Sequence, residues 1–457
     1  MTLTERRFYQ ATNPLKTLDI KKTEDAEKYI DFSQVRGGQV IEELKTDIVW
    51  AEDGYFTCNL FTGHLGCGKS TELLRLRQEL EKEEFHVVYF ESSDDLDLGN
   101  VDVSDILLAI ARRVSSSLES LPSKDEKSSF KGLMEKAAQL FSMEIELSTE
   151  GKIPGVGDFD VNLGSKGGSI ALSTLIGKIN AKVKKDGNLR DRLRDYLEPK
   201  TDAILEVLNK GLFTPADQQF KKQGKKGLVV IVDNLDRLDN VAKPNGRLQP
   251  EFLFADRGEK LKQLSCHLVY TMPLALRYCD DFPIIRNRFN SPVVLPMIPV
   301  KKRDGTPDEL GIKLLKQMVL TRAFPPFKHS PELWTKIPEL FESEDILDEL
   351  CLKSGGHVRN LLRLLNAWIR KEKKLPLSHK NLQATVINEL ADDLNNITED
   401  EWQLLKRVKR EKKIAGDYNY QKLIRTLLVY EYRDEKGSWY EVNPVLTDLE
   451  QLEDFQE

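Results

Sequence analysis

The chain has 457 residues, of which 40% are hydrophobic and 31% are charged, and its formal net charge at pH 7 is −6. This length predicts two to four domains rather than one core. The acidic balance argues against a protein that is basic over its whole surface and dedicated to nucleic acid, although it leaves room for a local basic patch. The sequence has no run of 18 apolar residues, and we therefore expect no membrane-spanning helix.

The cysteine pattern predicts a cytoplasmic protein. The five cysteines are odd in number, scattered along the chain and free of any CxxC pair. We therefore expect reduced thiols and no structural zinc. The first residues also lack the apolar region of a secretory signal.

The first half of the chain alternates between predicted strands and helices. A polar lead-in covers residues 1–46, and the pattern VIEELKTDIVW predicts a helix at its end. The runs YFTCNLFTG and HVVYFES predict two buried strands, and an amphipathic helix follows each of them. Because these strands are apolar throughout, the pattern indicates an α/β fold with a parallel sheet that is covered on both faces.

An insert interrupts this alternation between about residues 120 and 226. Its stretch MEIELSTEGKIPGVGDFDVNLGSKGGS predicts a hairpin or a mobile excursion, and charged helices follow. The sheet resumes at GLVVIVDNLDRLDN, HLVYTM and SPVVLPMIPV. Beyond residue 300 the pattern is helical, and the last 60 residues predict helices and then two short strands around the turn DEKG.

The stretch GHLGCGKS, from Gly63 to Ser70, matches the phosphate-binding loop pattern G-x-x-x-x-G-K-[ST]. Its glycines let backbone N–H groups point at phosphate oxygens, and the following helix adds its positive N-terminal end. We expect Lys69 to reach the β- and γ-phosphates and Ser70 to bind Mg²⁺. The nucleotide-binding residues expected from this loop are Gly63, His64, Leu65, Gly66, Cys67, Gly68, Lys69, Ser70 and Thr71.

A second motif predicts the other magnesium ligand. Five apolar residues, from Leu228 to Val232, end at Asp233, as in the Walker B strands that place a carboxylate beside a phosphate loop. Ser70 and Asp233 are therefore the expected metal ligands, with ATP and Mg²⁺ as the cofactors. The absence of an NKxD motif argues against GTP.

The residue after Asp233 differs from what many hydrolysing proteins of this class have there. They place a glutamate at this position as the base for the attacking water, whereas this chain has Asn234, whose amide cannot act as a base. Asp236 is the nearest substitute, and Glu91 at the end of the second strand is a further one. The sequence therefore predicts an ATPase whose turnover is slow or depends on assembly.

The motifs that follow resemble those of AAA+ ATPases. HLVYTMP (His267 to Pro273) is an apolar strand with the polar residue Thr271 at its tip and is similar to their sensor-1 strand. Arg286 and Arg288 precede a strand as their arginine finger does. SGGHVRNLL, with Arg359, resembles the sensor-2 helix of replication-initiator-like AAA+ and STAND ATPases. DFSQVRGGQV resembles the segment in which an arginine, here Arg36, approaches adenine. The resemblance implies that Thr271 and Arg359 sense the γ-phosphate and that a neighbouring subunit supplies Arg288 or Arg286.

The resemblance covers about residues 30–370 and implies a P-loop NTPase core of the AAA+ type with a helical lid and a C-terminal winged helix. The expected divisions are a lead-in over 1–46, the ATPase core over 47–300, the lid over 301–396 and a winged-helix-like domain over 397–457. A basic run in the last domain could contact phosphates or form a solvated helix face. It consists of Lys406, Arg407, Lys409, Arg410, Lys412 and Lys413.

Three functions remain open on these grounds. The first is a nucleotide-controlled switch or oligomerising scaffold in signalling or defence, which associates with itself and with a partner protein. The second is a DNA-associated ATPase of the initiator or transposition type. The third, suggested by Asn234, is a binding protein that is locked on its nucleotide and hydrolyses little.

Overall fold

The computed structural model describes residues 5–121, 197–394, 397–416 and 418–447, with isolated positions between 130 and 177 and at 452. The hairpin expected over residues 143–169 lies outside the described residues.

The core is a parallel sheet of five strands, so the predicted α/β fold is confirmed. The strands lie in the order β2-β3-β4-β1-β5. Both β3 and β4 are buried at every position, because helices cover both faces of the sheet. The strands are β1 (Cys58–Thr62), β2 (Phe85–Glu91), β3 (Gly227–Asp233), β4 (His267–Met272) and β5 (Val293–Val294).

The register of the strands places acidic and polar residues at one edge of the sheet. β2 and β3 pair up to Glu91 opposite Asp233, and β1 and β4 pair up to Thr62 opposite Met272. All these strands therefore end on the side from which the phosphate loop leaves β1. This carboxyl edge is where open α/β sheets bind their ligands.

Helices make up most of the remaining described structure. Short helical turns occur at Thr23–Ala26, Ser92–Asp95, Gln249–Glu251, Gly258–Leu261 and Ile337–Leu340. The longer helices are α1 (Glu5–Ala11), α2 (Val40–Val49), α3 (Lys69–Lys82), α4 (Val103–Glu119), α5 (Thr201–Leu208), α6 (Thr214–Lys222), α7 (Phe282–Phe289), α8 (Glu309–Ala323), α9 (Glu344–Ser354), α10 (Val358–Glu372), α11 (His379–Leu394), α12 (Glu399–Glu411) and α13 (Tyr418–Arg425).

The two faces of the sheet bury alternate residues of β3. Val229 and Ile231 pack in one apolar cluster with α2 and α3, whereas Val230 and Val232 pack in another with α4, α5 and α6. This alternation is the two-residue period of a strand, and both sets are apolar because both faces are covered.

Helices α8 to α11 form a separate apolar core beside the sheet, and the N-terminal segment belongs to it. Phe8 of α1 is fully buried in this core together with Ile30. The guanidinium of Arg322 on α8 donates to the carbonyl of Ala11 at 2.9 Å. The lead-in expected from the sequence is therefore packed against the helices that follow the sheet.

The C-terminal residues fold as two helices and an antiparallel hairpin, β6 (Val429–Asp434) and β7 (Gly437–Val442). The aromatic residues Tyr430, Tyr432 and Trp439 of this hairpin join the apolar cluster on the α2–α3 face of the sheet. The hairpin is thus part of the wall around the phosphate loop. No helix in the described part of the chain is long and apolar enough to cross a membrane.

Candidate nucleotide-binding site

A cleft lies over the phosphate loop at the carboxyl edge of the sheet. Residues of the loop line one end of it, together with Asn234, Asp236 and Arg359. The other end is apolar in part and is lined by the N-terminal segment and by α8 and α10.

The loop has the backbone that phosphate binding requires. Gly63, Gly66 and Gly68 have φ angles of 156°, 87° and 110°, in the region that side chains disfavour. Among the described residues, nothing accepts a hydrogen bond from the N–H groups of Leu65, Gly66 or Gly68. The first N–H groups of α3 also lack partners within their helix. These donors line the cleft and can bind an anion.

Lys69 is buried at the centre of the loop. Its Nζ donates to the carbonyls of Gly63 and His64, each at 2.8 Å, and lies 2.8 Å from a carboxylate oxygen of Asp236. Burial alone would lower the pKa of Lys69, but the adjacent carboxylate of Asp236 outweighs it and raises the pKa. Lys69 is therefore a fixed cation that can exchange a carbonyl or carboxylate partner for a phosphate oxygen.

The surroundings of Asp233 fit a magnesium ion. Burial, and then the charge of Asp236, raise the pKa of Asp233, while hydrogen bonds from Ser70 and Tyr89 oppose the rise. Oδ1 of Asp236 is buried without a partner. Two buried carboxylates thus lie beside Lys69, and the Ser70 hydroxyl lies against one of them. Oxygen ligands with an excess of negative charge are what Mg²⁺ requires.

Asn234 connects the cleft to the second strand. Its φ angle is 65°, a left-handed conformation that asparagine tolerates better than most residues. Its side-chain amide donates to Oε2 of Glu91 at 2.7 Å. A carboxylate is therefore held directly behind the residue that replaces the usual glutamate.

Thr271 lies beneath the turn that follows β3. Its hydroxyl is fully buried and accepts a hydrogen bond from the N–H of Leu235 at 2.9 Å. The side chain thus supports the turn that carries Asp236 and does not line the cleft in this state. Its role as a γ-phosphate sensor stays a prediction.

Arg359 and Arg36 both lie at the phosphate loop. The backbone N–H of Arg359 donates to the carbonyl of Gly66 at 3.2 Å, and burial, together with the nearby Arg237, lowers the pKa of its guanidinium. Arg36 is buried and donates to the carbonyl of Cys67 at 2.7 Å. Both residues thus contact the loop. The contact of Arg359 with a γ-phosphate and the approach of Arg36 to a base stay predictions.

The two arginines of α7 lie outside the cleft. The Arg288 guanidinium donates to the carbonyls of Ala255 and Phe254, so it is tied to its own chain. Arg286 is exposed and makes no ion pair with any described residue. A role in a neighbouring site stays a prediction for both, and Arg286 is the one whose side chain is not already engaged.

The phosphate loop is bonded to the helical core and to the C-terminal hairpin, a feature that sequence reasoning missed. The ring of His357 on α10 bonds to the Leu65 carbonyl at 2.7 Å, and Nε2 of His64 accepts from the backbone N–H of Glu431 on β6 at 2.8 Å. Burial, and then neighbouring charges, lower the pKa of His64 to about 3. This histidine is therefore neutral at pH 7. The unusual His at the second loop position was the one signal available in the sequence.

The far end of the cleft also went unpredicted. Arg322 and Met318 of α8 line it with Leu362 of α10 and residues 14–18. Burial lowers the pKa of Arg322 to about 10, and its Nε has no hydrogen-bond partner among the described residues. No local motif marks these residues, because they come from distant segments.

Comparisons with known proteins give no family. No family model and no curated protein matches the sequence. Among solved structures, the Aeropyrum pernix ORC1 protein in complex with DNA aligns with 90% of this chain and 91% of its own at 11% identity and a TM-score of 0.33. Drosophila ORC bound to DNA aligns with 98% and 91% at 11% identity and a TM-score of 0.35. The Aeropyrum pernix ORC2 protein, in ADPNP–ADP complexes, aligns with 95% and 93% at 10% identity and a TM-score of 0.36. Scores this low do not establish a shared function.

Proposed function

We propose that the chain binds ATP with Mg²⁺ in the cleft over the phosphate loop and acts as a nucleotide-controlled switch of the AAA+ or STAND type. The observation that carries the proposal is the set of unpaired N–H groups at Leu65, Gly66 and Gly68 beside the buried cation Lys69. Donors and a cation in this arrangement bind the phosphates of a nucleotide.

The roles of the surrounding residues follow from their positions. The loop N–H groups and Lys69 hold the phosphates, while Ser70 and Asp233 hold Mg²⁺, which neutralises phosphate charge when bound. Arg359 lies at the junction of the loop and α10 and is placed to contact the γ-phosphate. Binding then changes the partners of Lys69, because a phosphate competes with the Asp236 carboxylate for it.

The contacts of the loop support a switch rather than a simple store of nucleotide. His357 connects the loop to α10, and His64 connects it to the C-terminal hairpin. A shift of the loop on binding is therefore transmitted to two other parts of the protein. A ligand shifts such an equilibrium only through its different affinity for the two states.

The DNA-associated alternative receives less support from the basic run at residues 406–413. Within the described residues, Arg407 and Arg410 pair with Glu411, and Lys412 pairs with Glu441. Two carboxylates thus offset two of the six positive charges of the run. Salt-dependent DNA binding that weakens when Lys406 and Lys413 are neutralised would favour this alternative over the switch.

The proposal is tested by the substitution Lys69→Ala. We expect it to lower ATP affinity by about ten- to a hundredfold, the worth of a charge-assisted hydrogen bond. Equilibrium dialysis with labelled ATP and Mg²⁺ measures the dissociation constant. The matched control is Lys82→Ala on the same helix, where the side chain is 61% exposed. Equal ATP affinity in the Lys69→Ala variant and the wild type would refute nucleotide binding at this loop.

A further inference from the structure

Three carboxylates lie at the carboxyl edge of β2 and β3, and two of them are engaged. Asp233 accepts from the hydroxyl of Tyr89 at 2.8 Å and from the N–H of Asn234 at 2.7 Å, and it faces Ser70. Asp236 forms the ion pair with Lys69. The first is therefore hydrogen-bonded and, in the proposed function, would hold the metal ion, while the second holds the loop lysine.

Glu91 is the third carboxylate, and it is available. It pairs in register with Asp233 on the neighbouring strand, and it forms no ion pair with any described residue. Its Oε2 accepts from the Asn234 amide at 2.7 Å, whereas no described residue donates to its Oε1. Asn234 lines the cleft, so Glu91 lies one hydrogen bond behind the cleft wall.

We propose that Glu91 is the general base of ATP hydrolysis and that Asn234 is its positioning residue, an inference that rests on the proposed function. The amide of Asn234 then follows the end of β3, and the end of β2 supplies the carboxylate of the base. Asn234 cannot take a proton, but its amide fixes the orientation of a carboxylate that can.

The step balances with the components of hydrolysis alone. One O–H bond of the attacking water breaks and its proton passes to Oε1 of Glu91, while the water oxygen forms a bond to the γ-phosphorus. The bond from this phosphorus to the bridging oxygen breaks, and its electron pair leaves with ADP. The proton then passes from Glu91 to solvent or phosphate. Catalytic contacts of this kind are often longer before the substrate binds and shorten in the complex.

The substitution Glu91→Gln tests the role of the base. It keeps the size of the side chain and removes the ability to take a proton. We expect ATP affinity within about threefold of the wild type and single-turnover hydrolysis slower by about a hundredfold or more. The assay mixes labelled ATP with excess protein at high concentration, so that any assembly needed for turnover is present.

The substitution Asp236→Asn is the comparison. It removes the partner of Lys69, so it should change ATP affinity as well as the rate, whereas Glu91→Gln changes the rate alone. The inference is overturned if the Glu91→Gln variant hydrolyses ATP as fast as the wild type. It is also overturned if the wild type binds ATP but hydrolyses none at high protein concentration. A wild-type protein that binds no ATP overturns the proposed function itself.

Asn234→Ala tests the positioning role separately. In the wild-type background we expect hydrolysis to slow by about tenfold, because the carboxylate loses its fixed orientation. In the Glu91→Gln background the same substitution should have no further effect on the hydrolysis rate, because the group that it positions is already inactive. Equal slowing in both backgrounds would show that Asn234 acts without Glu91 and would overturn its assignment as a positioning residue.

Discussion

Gly66 lies where the phosphate loop touches helix α10. A Cβ atom at this position would be 2.8 Å from Cβ of Arg359 and 2.8 Å from Cε1 of His357. The close approach lets the Gly66 carbonyl accept from the N–H of Arg359 and brings the loop against the histidine. Glycine is thus required at position 66 because Arg359 and His357 leave no room for a side chain, and also because the φ angle is positive.

The substitution Gly66→Ala should therefore cost more than backbone strain. A left-handed alanine alone costs about 1–2 kcal/mol, and the contact with α10 should add about 1–2 kcal/mol or displace the loop. Chemical denaturation measures the loss of stability. The ATP dissociation constant reports a displacement of the loop.

Gly224→Ala is the matched control, since its φ angle is 83° against 87° at Gly66 and no heavy atom lies within 4 Å of its added Cβ. It has the same strain without the contact. Equal effects of the two substitutions on stability and on ATP affinity would contradict the prediction.

At the scale of elements, a buried acid, Glu431, bonds the strand β6 to the part of the protein that contains the parallel sheet. Glu431 is 1% exposed, accepts from both the Arg277 guanidinium and the Tyr278 hydroxyl, and its backbone N–H donates to His64. Burial alone would lower the pKa of the Arg277 guanidinium, but the adjacent carboxylate of Glu431 outweighs it and raises this pKa. Glu431 thus joins the hairpin to both the phosphate loop and the segment after β4.

The substitution Glu431→Gln should loosen the hairpin. It leaves the charge of Arg277 without its partner in a largely buried place, and we expect a loss of about 2–4 kcal/mol. Urea denaturation measures the loss, and hydrogen exchange should quicken at the backbone amides of β6 and β7.

The control for this prediction lies on the same hairpin. Asp434 pairs with Arg303, and their side chains are 34% and 31% exposed. Because solvent screens this pair, Asp434→Asn should cost less than about 1 kcal/mol. An equal loss of unfolding free energy in both variants would show that burial does not make the Glu431–Arg277 pair more important to stability than the exposed Asp434–Arg303 pair.

The elements themselves were the predictable part of this protein. The apolar runs fixed β1 to β4, and the glycine pattern fixed the start of α3 at Lys69. β5 is shorter than the predicted run SPVVLPMIPV and includes only Val293–Val294, because the prolines at 292, 296 and 299 have no N–H to donate to a ladder. The N–H of Met297 instead bonds to the carbonyl of Glu431.

Contacts between distant segments could not be predicted. His64 and Glu431 are 367 residues apart, and Asn234 and Glu91 are 143 apart. Hydrophobic periodicity and turn residues report only on neighbours in the sequence. The phosphate loop and Asp233 could be assigned since each has a local pattern, whereas the partners that fix their geometry come from elsewhere in the fold.

At the scale of the whole molecule, four of the six histidines are buried or partly buried and are neutral at pH 7. Burial is the first cause in each case; it lowers the pKa of His64 and His357 to about 3 and that of His86 and His267 to about 4. Two of them connect the phosphate loop to α10 and to the hairpin. Protonation of these histidines therefore destabilises the folded state and weakens the contacts of the phosphate loop with α10 and the hairpin.

The free energy of unfolding should fall as the pH falls from about 6.5 towards 4. The unfolded chain binds these protons below a pKa of about 6.5, while the folded chain does not bind them until the pH nears 4 to 3. At pH 5 each histidine should cost about 2 kcal/mol relative to pH 7. Urea denaturation at both pH values measures the difference.

The variant His357→Asn should reduce this difference, and His329→Asn, at an exposed position, should leave it unchanged. The prediction is contradicted if the free energy of unfolding is the same at pH 5 and pH 7. It is also contradicted if the two variants show the same difference between these pH values.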